Sequence, residues 1–464
     1  MKNMHRIMLV TTTITLMSWP LASPTLARAQ AVGNDAVYPT SGICCKASSA
    51  FIDASMFLPP NSTTLGRDVC DAIYRLLTGF LGFPPYPAAG AVIDARGVSG
   101  TTNLTCTHGS PWTEGSNTVT LPSTILLPAT GGASPTPIII SNPWVLPPYT
   151  HLIGEGDGIP SSGSSPGTTI QVSGTFPLPG PMIQFGSSSG ATGISVENLT
   201  LDGEGGSLNG IMNQDAGNNS YVDHVSLYRI LGTGLSVSGN ANNSGPYSNI
   251  TFDLGGHSGT SLTYCASING LSGTQGIHGL TCISENNDPQ AAVLLDSSNN
   301  SIEDVRIAGF FDGILVGSQA NAKSNVLINI NGDTTPPSGP TPVNTVHISS
   351  NHTVTDLSIT GISNLPGTYT IQDDVTGPHL LDSTVGIYAL GEKDQTTGAY
   401  SRFTTSPNVA TWAVGSSAPQ NNCAQGSLYS CIGGGTNCIS GSTSYALWAC
   451  ALNGSGSVQW LPVQ

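Results

Sequence analysis

The chain has 464 residues, of which only 8% are charged, with 12 basic residues against 27 acidic ones and a formal net charge of −15. So few cations cannot form a basic patch, which excludes a nucleic-acid-binding protein, and a polyanionic substrate would be repelled unless a cation bridged it. The polarity is carried instead by Gly, Ser, Thr and Asn, which suit turns and stacked corners better than helices.

Residues 1–31 read as a secretory signal. Lys2, His5 and Arg6 form a polar start, "IMLVTTTITLMSWPLA" an apolar run, and "LARAQA" offers small residues at Ala27/Ala29 or Ala29/Ala31. Cleavage there predicts a secreted or extracytoplasmic protein. Lys2, Arg6 and Arg28 leave with the signal and no acid does, which takes 12 basic residues to nine and the net charge from −15 to −18. No later stretch is long and apolar enough to predict a membrane-spanning helix.

Residues 32–92 read as an N-terminal cap. In "LGRDVCDAIYRLLTGFLGF" the apolar residues Val69, Ile73, Leu76, Leu77 and Phe80 lie on one helical face, and Asp68 and Asp71 fall in the first turn, where they favour the helix dipole. Residues 93–400 change to short alternating strands separated by Gly, Asn, Ser and Pro. Strand-like segments centre on Leu199, Val225, Ile250, Leu280, Val305 and Ile328, and a second series interleaves at "GIMNQDA", "GLSVSGNA", "AVLLDSS" and "GILVGSQ". A period in the twenties with two or more strands per period predicts an all-β solenoid, a parallel β-helix in which each coil buries its apolar side against the next. The thrice-repeated "NNS" at Asn218, Asn242 and Asn299 marks a recurring corner, because Asn tolerates left-handed backbone and can bond its copy one coil away.

Residues 401–420 read as a linker and 421–464 as a disulfide-stapled β module. The ten cysteines fall into even groups: Cys44, Cys45, Cys70 and Cys106; Cys265 and Cys282; Cys423, Cys431, Cys438 and Cys450. Pairing within each group is expected in an oxidising compartment, with the connectivity inside each foursome open. No C-x-x-C pair occurs and no histidine lies near the last four, which speaks against zinc.

The stretch from Asp68 to Val172 resembles the N-terminal part of pectate-lyase-superfamily proteins, the rhamnogalacturonase/epimerase-like group. The resemblance rests on "GRDVCDAIYRLL", "TILLPATGG…PIIISNPWVLPPYTHLIGEGDG" and "GTTIQV". It implies a right-handed parallel β-helix of the pectin-lyase-like kind, over residues 67 to 390 when the coils are included. It specifies fold and leaves activity open among lyases, hydrolases, epimerases and inactive proteins. The ordered hydrolase motifs of the polygalacturonase type are absent: "GGHSG" at Gly255 precedes the one Asp-Asp, Asp373-Asp374.

A lyase needs a base and groups that steady an enolate, and a hydrolase needs two carboxylates about the scissile bond. The densest polar group is Asp202 and Glu204 in "LTLDGEGG", then Asp215, Asp223, His224 and Arg229 about one coil on. Asp202, Glu204 and Asp223 offer carboxylates for acid–base work or for calcium, and Arg229 or His224 a base or substrate clamp. Lesser candidates are Glu155 and Asp157, Asp253 and His257, Glu285 and Asp288, Arg306 as a base, and Tyr221, Tyr228 and Tyr247 as stacking rings. Two functions follow. One is a secreted carbohydrate-active enzyme, a polysaccharide lyase or hydrolase; the other is a non-catalytic glycan-binding or adhesin-like β-helix.

Overall fold

The structure is a computed structural model that describes residues 51–58, 67–78, 91–106, 109–131, 136–159, 167–187, 190–260, 262–332, 344–355, 357–363, 369–374, 412–415, 418–419, 428–431, 438–440, 443–444, 447–453 and 457–463, the side chains of 51, 56–57, 91, 286–290, 363, 369–370, 372–373, 412–415, 439–440 and 443–444 aside. The signal, Cys44, Cys45, Cys423 and Phe80 lie outside them.

Three parallel ladders build a three-sided solenoid. On the first side, Ile52, Ile93, Ile125, Leu152, Val196, Val222, Tyr247, Ile277, Ile302, Leu327 and Ile359 pair in one unbroken register. All are buried, none more than 7% exposed. The second side stacks Ile138, Ile170, Leu201, Leu227, Phe252, Cys282 and Ile307. The third stacks Trp144, Ile183, Ile211, Leu235, Ala266, Val293, Ile314, Val346 and Ile371. Alternation along each strand sends these residues inward and their neighbours outward. One coil has no closed core of its own; each inward side chain is buried by the copies above and below it. Truncating one, such as Leu227 to Ala, is expected to cost about 2–5 kcal/mol.

The chain turns from the first side to the second within single strands. In Ser195–Gly206 and Tyr221–Ile230 the bend falls at Asn198 and His224, with φ of 54° and 52°. Asn249, Gly279, Asp304, Asn329 and Gly361 take the same left-handed place in later coils. Asn, Asp and Gly recur there because they enter this region at least strain. The amides also form a ladder: Asn249 Nδ2 donates to Asp223 Oδ1 at 2.9 Å and Asn329 Nδ2 to Asp304 Oδ1 at 2.6 Å.

Two details of the repeat differ from the sequence reading. Val305 pairs with Ile330, so the last repeat centres there; Ile328 pairs with Glu303 and is 36% exposed. "VLINING" alternates equally well in either frame, and only the place of Asn329 at the bend decides between them. The third "NNS" is one residue out of step. Asn219 and Asn243 are left-handed in the first two copies, but Asn299 is in the third, so Asn300 takes the buried place of Ser220 and Ser244. Asn300 accepts from Thr274 N at 3.0 Å and donates from Nδ2 to Asn325 Oδ1 at 3.1 Å, which satisfies a buried amide that the shorter serines do not carry.

The single α-helix among the described residues is Val69–Thr78. Asp68 caps it, accepting from Asp71 N at 2.9 Å, and Ile73, Leu76 and Leu77 face the core. Strand Phe51–Asp53 already belongs to the first ladder, so the solenoid begins ahead of the helix, inside the stretch read as a cap. The disulfides Cys70–Cys106, Cys265–Cys282 and Cys431–Cys438 each join cysteines of one group, and Cys450 is also disulfide-bonded. Near the C-terminus Trp412–Gly415 pairs in parallel with Leu428–Cys431, which continues antiparallel to Leu447–Leu452 and Val458–Pro462. That sheet starts inside the stretch read as a linker. Trp448, Cys431 and Cys438 form its small core.

Candidate functional site

The outward side of the second ladder carries two polar columns. One is Thr169, Thr200, Ser226, Thr251, Thr281 and Arg306; the other is Gln171, Asp202, Tyr228 and Asp253. The columns stand two residues apart along the strands, and their members repeat about every 4.8 Å from coil to coil.

At the strand ends the second column meets a turn. Asp202 is 4% exposed. Arg229 Nε donates to Asp202 Oδ1 at 2.9 Å and its Nη2 donates to Oδ2, a bidentate pair across one coil. The same Nη2 donates to Glu204 Oε1 at 2.6 Å. The guanidinium lies 5.1 Å from the centre of the Tyr228 ring. The hydrogen bond to Asp202 holds the Arg229 pKa above its ordinary value. Arg229 is therefore a fixed cation and a clamp, and a general base is the role the geometry denies it.

Backbone strain marks the same turn. Glu204 and Arg229 have φ of 52° and 51°. Neither residue type enters the left-handed region cheaply; each costs roughly 1–2 kcal/mol there. Such outliers persist where the surrounding structure over-determines them and gather at functional sites.

The next two coils add groups that the sequence reading ranked below these. Asp253 Oδ1 accepts from Gly255 N at 2.7 Å. Burial raises the Asp253 pKa above the usual carboxylate range and the nearby Glu285 charge raises it further, against the Gly255 hydrogen bond. Glu285 is exposed, and its Oε2 would lie 3.2 Å from a Cβ placed on Gly256. The Tyr228 ring lies against Gly255, where a Cβ would come within 2.6 Å of it, and the His257 ring covers Gly205, where a Cβ would come within 2.7 Å. Both glycines have positive φ, 74° at Gly205 and 58° at Gly255. No side chain fits at either position without displacing a ring.

Asp223 and His224 do not join this group. They sit at the bend between the first and second sides, five residues before Tyr228 and Arg229 on the same strand, about 16 Å of extended chain away. His224 Nδ1 is 3.0 Å from Asp223 Oδ2, and Asp223 takes its other bond from Asn249. A calcium cage of Asp202, Glu204 and Asp223 does not fit this arrangement. Both Asp202 oxygens and one Glu204 oxygen are bound to a guanidinium, whose charge stands where the ion would, and Asp223 is at another corner. Among the described residues the three do not bring ligand atoms within 4.8 Å of one another.

The lesser candidates separate as well. Tyr247 is fully buried, its hydroxyl bonded to Ser244 Oγ at 2.7 Å and Asn213 Nδ2 at 2.9 Å, so it packs the core and cannot stack on a ligand. Tyr221 donates to Glu197 Oε1 at 2.8 Å on the first side. Glu155 pairs with Arg96 at 3.4 Å. Asp157 accepts from Ser226 Oγ at 3.1 Å. Arg306 is exposed in the hydroxyl column, and the Asp288 side chain lies outside the described residues.

No family model matches the sequence, and no curated protein matches it. Among solved structures the chain is similar to the A-module of a mannuronan C-5 epimerase of Azotobacter vinelandii: 12% identity over 71% of this chain and 97% of that one, TM-score 0.28. It is also similar to an alginate lyase of a Paenibacillus species (12% identity, 71% and 93% covered, TM-score 0.26) and to the catalytic domain of Agl-KA (14% identity, 70% and 67% covered, TM-score 0.30). The likeness is one of fold, which the three ladders establish for this chain by themselves. It is a parallel β-helix.

Proposed function

We propose that the chain is an exported carbohydrate-active β-helix enzyme that hydrolyses a glycan carrying little charge at the Tyr228–Asp253 end of the second side. The observation that carries this reading is the pair Asp253 and Glu285. Partial burial raises the Asp253 pKa, while Glu285, whose charge adds to that shift, stands exposed, and two carboxylates in unlike environments can supply the acid and base of glycosidic cleavage.

In the step, Asp253 gives its proton to the glycosidic oxygen as the bond from that oxygen to the anomeric carbon breaks. Water adds to the anomeric carbon and Glu285 takes the proton that water loses. Tyr228 offers a ring face to the sugar. Arg229, held by Asp202 and Glu204, keeps donors for sugar hydroxyls, and the two carboxylates that hold it are positioning residues. A polyuronate fits poorly, because carboxylates outnumber the one guanidinium in this group and the whole chain is acidic.

The test is a screen of the purified mature protein against plant and bacterial polysaccharides, with calcium and with chelator. Reducing ends and unsaturated-uronate absorbance are followed together. Reducing ends without absorbance, lost in Asp253→Asn, support hydrolysis. Absorbance that disappears with chelator replaces it with a calcium-assisted lyase. Silence from folded protein, with binding retained, leaves a glycan-binding β-helix.

A further inference from the structure

The hydroxyl column beside the site is open at one end and sealed at the other. At the sealed end the turn after strand Thr150–Ile153 folds over it. Gly158 N donates to Thr200 Oγ1 at 3.1 Å, Thr200 Oγ1 donates to Gly158 O at 2.8 Å, and Ser226 Oγ donates to Asp157 Oδ2 at 3.1 Å. Thr200 and Ser226 are 0% and 1% exposed in consequence. One and two coils further on, Thr251 and Thr281 are no longer buried, and on the third Arg306 is exposed. These residues share one register line, so the change comes from the overlying turn and not from the strands. Tyr228 and Asp253 stand two residues along from Ser226 and Thr251, at the point where the column passes from covered to open.

A polymer lying along the solenoid over Thr281 and Thr251 would run into the turn at Asp157–Gly158 about one coil, ~4.8 Å, past Asp253. That leaves space for a terminal sugar and none for a chain that continues. We infer that the site acts on a chain end: the glycan enters from the Arg306 side and stops against the Asp157–Gly158 turn, so the product is one short sugar of fixed size. This rests on the hydrolytic reading above and adds where along the polymer it cuts.

The two claims fail in different ways. Wild-type protein is given linear oligosaccharides of defined length, labelled at one end, and the intact polymer that the screen identifies. Expected is a single small product from the earliest times and polymer viscosity that falls only in proportion to bonds cut. The double variant Thr200→Val/Ser226→Ala, which unties the turn while keeping side-chain volume near Thr200, should broaden the product sizes. Mixed long fragments and a viscosity collapse at low conversion by wild-type protein would overturn the chain-end inference and leave the hydrolase standing. No cleavage of any substrate by folded protein would remove both.

Discussion

Several coils of the solenoid pass through left-handed backbone at both ends of the second side, and the two places are filled by different chemistry. At the bend between the first and second sides the residues are Asn198, His224, Asn249, Gly279, Asp304 and Asn329. Apart from His224, these are the types that enter this region at least strain, and their amides bond from coil to coil. At the far end of the second side Gly255 and Gly309 fill the place in later coils, but two neighbouring coils put Glu204 and Arg229 there, which tolerate it poorly. The first corner is chosen for the backbone. The second carries strain and sets a guanidinium between two carboxylates, beside a ring and a half-buried acid. The backbone demand is the same in both, so the residue types, and not the turn, separate scaffold from site.

The largest effect that tests this contrast is on turnover. Asp253→Asn should lower hydrolysis by about 10²–10⁴-fold, as loss of a general acid does. Its stability effect has the opposite sign. The folded-state pKa of Asp253 is raised, so its favourable contribution is present below the unfolded value and is lost as pH rises through the folded one. A permanently neutral Asn should therefore raise Tm at pH 7 and change little at pH 3, by scanning calorimetry. A variant that is both slower and less stable at pH 7 would assign Asp253 to the scaffold. Next in size is Arg229→Met. It leaves the Asp202 carboxylate buried without its cation, and roughly 3 kcal/mol should be lost in urea unfolding. Arg229→Met with unchanged stability would mean that the pair is not formed in solution.

How far the sequence carries these assignments depends on the direction of travel in a solenoid. Positions one coil apart converge, and Asp202 with Arg229 follows from spacing alone. Positions a few residues apart on one strand diverge, which is why Asp223 and His224, close in sequence to Tyr228 and Arg229, belong to another corner. Asp253 and Glu285 are one and two further coils away, and nothing local ties either to Asp202. What raises Asp253 is above all its burial, a property of the folded stack that no single segment encodes. The apolar alternation, by contrast, is local to each strand and repeats, so the ladders were legible down to single inward residues, except where Ile328 and Ile330 compete for one frame.

A third polar group sharpens the comparison because it has charge without strain. His347 lies between Asp312 and Asp374, with Nδ1 2.8 Å from Asp312 Oδ2 and Nε2 2.8 Å from Asp374 Oδ2, and its backbone is not left-handed. The hydrogen bond to Asp312, with help from Asp374 and against burial, pushes its pKa up to about 9. A raised histidine contributes stability that is fully present below about pH 6.5 and lost as pH rises through about 9. His347→Gln should thus cost about 2 kcal/mol at pH 6 and almost nothing at pH 10, read from urea midpoints. It should leave glycan turnover at pH 6 unchanged. Lost turnover in a variant still folded at that pH would show that charged clusters without backbone strain also serve the site.

The smallest effects separate the two corners most directly. Glu204 is exposed at φ 52°, and its ion pair with Arg229 is partly screened, so the pair contributes under about 1 kcal/mol. Replacing Glu204 by Gly removes that contribution but also relieves a left-handed backbone worth roughly 1–2 kcal/mol, less the added freedom of Gly in the unfolded chain. The net expectation is stability within about 0.5 kcal/mol of wild type, together with weaker positioning of Arg229 and several-fold slower hydrolysis. Asn249→Ala at the other corner should behave in reverse. It leaves a Cβ without a compensating amide in the left-handed place and strips Asp223 of one of its two partners, so stability falls by about 1–2 kcal/mol while turnover holds. If Glu204→Gly destabilised the fold as much as Asn249→Ala and left turnover intact, the strained corner would be scaffold like the other. If the two variants part as expected, residue type at a left-handed corner becomes a way to find the working end of such a coil.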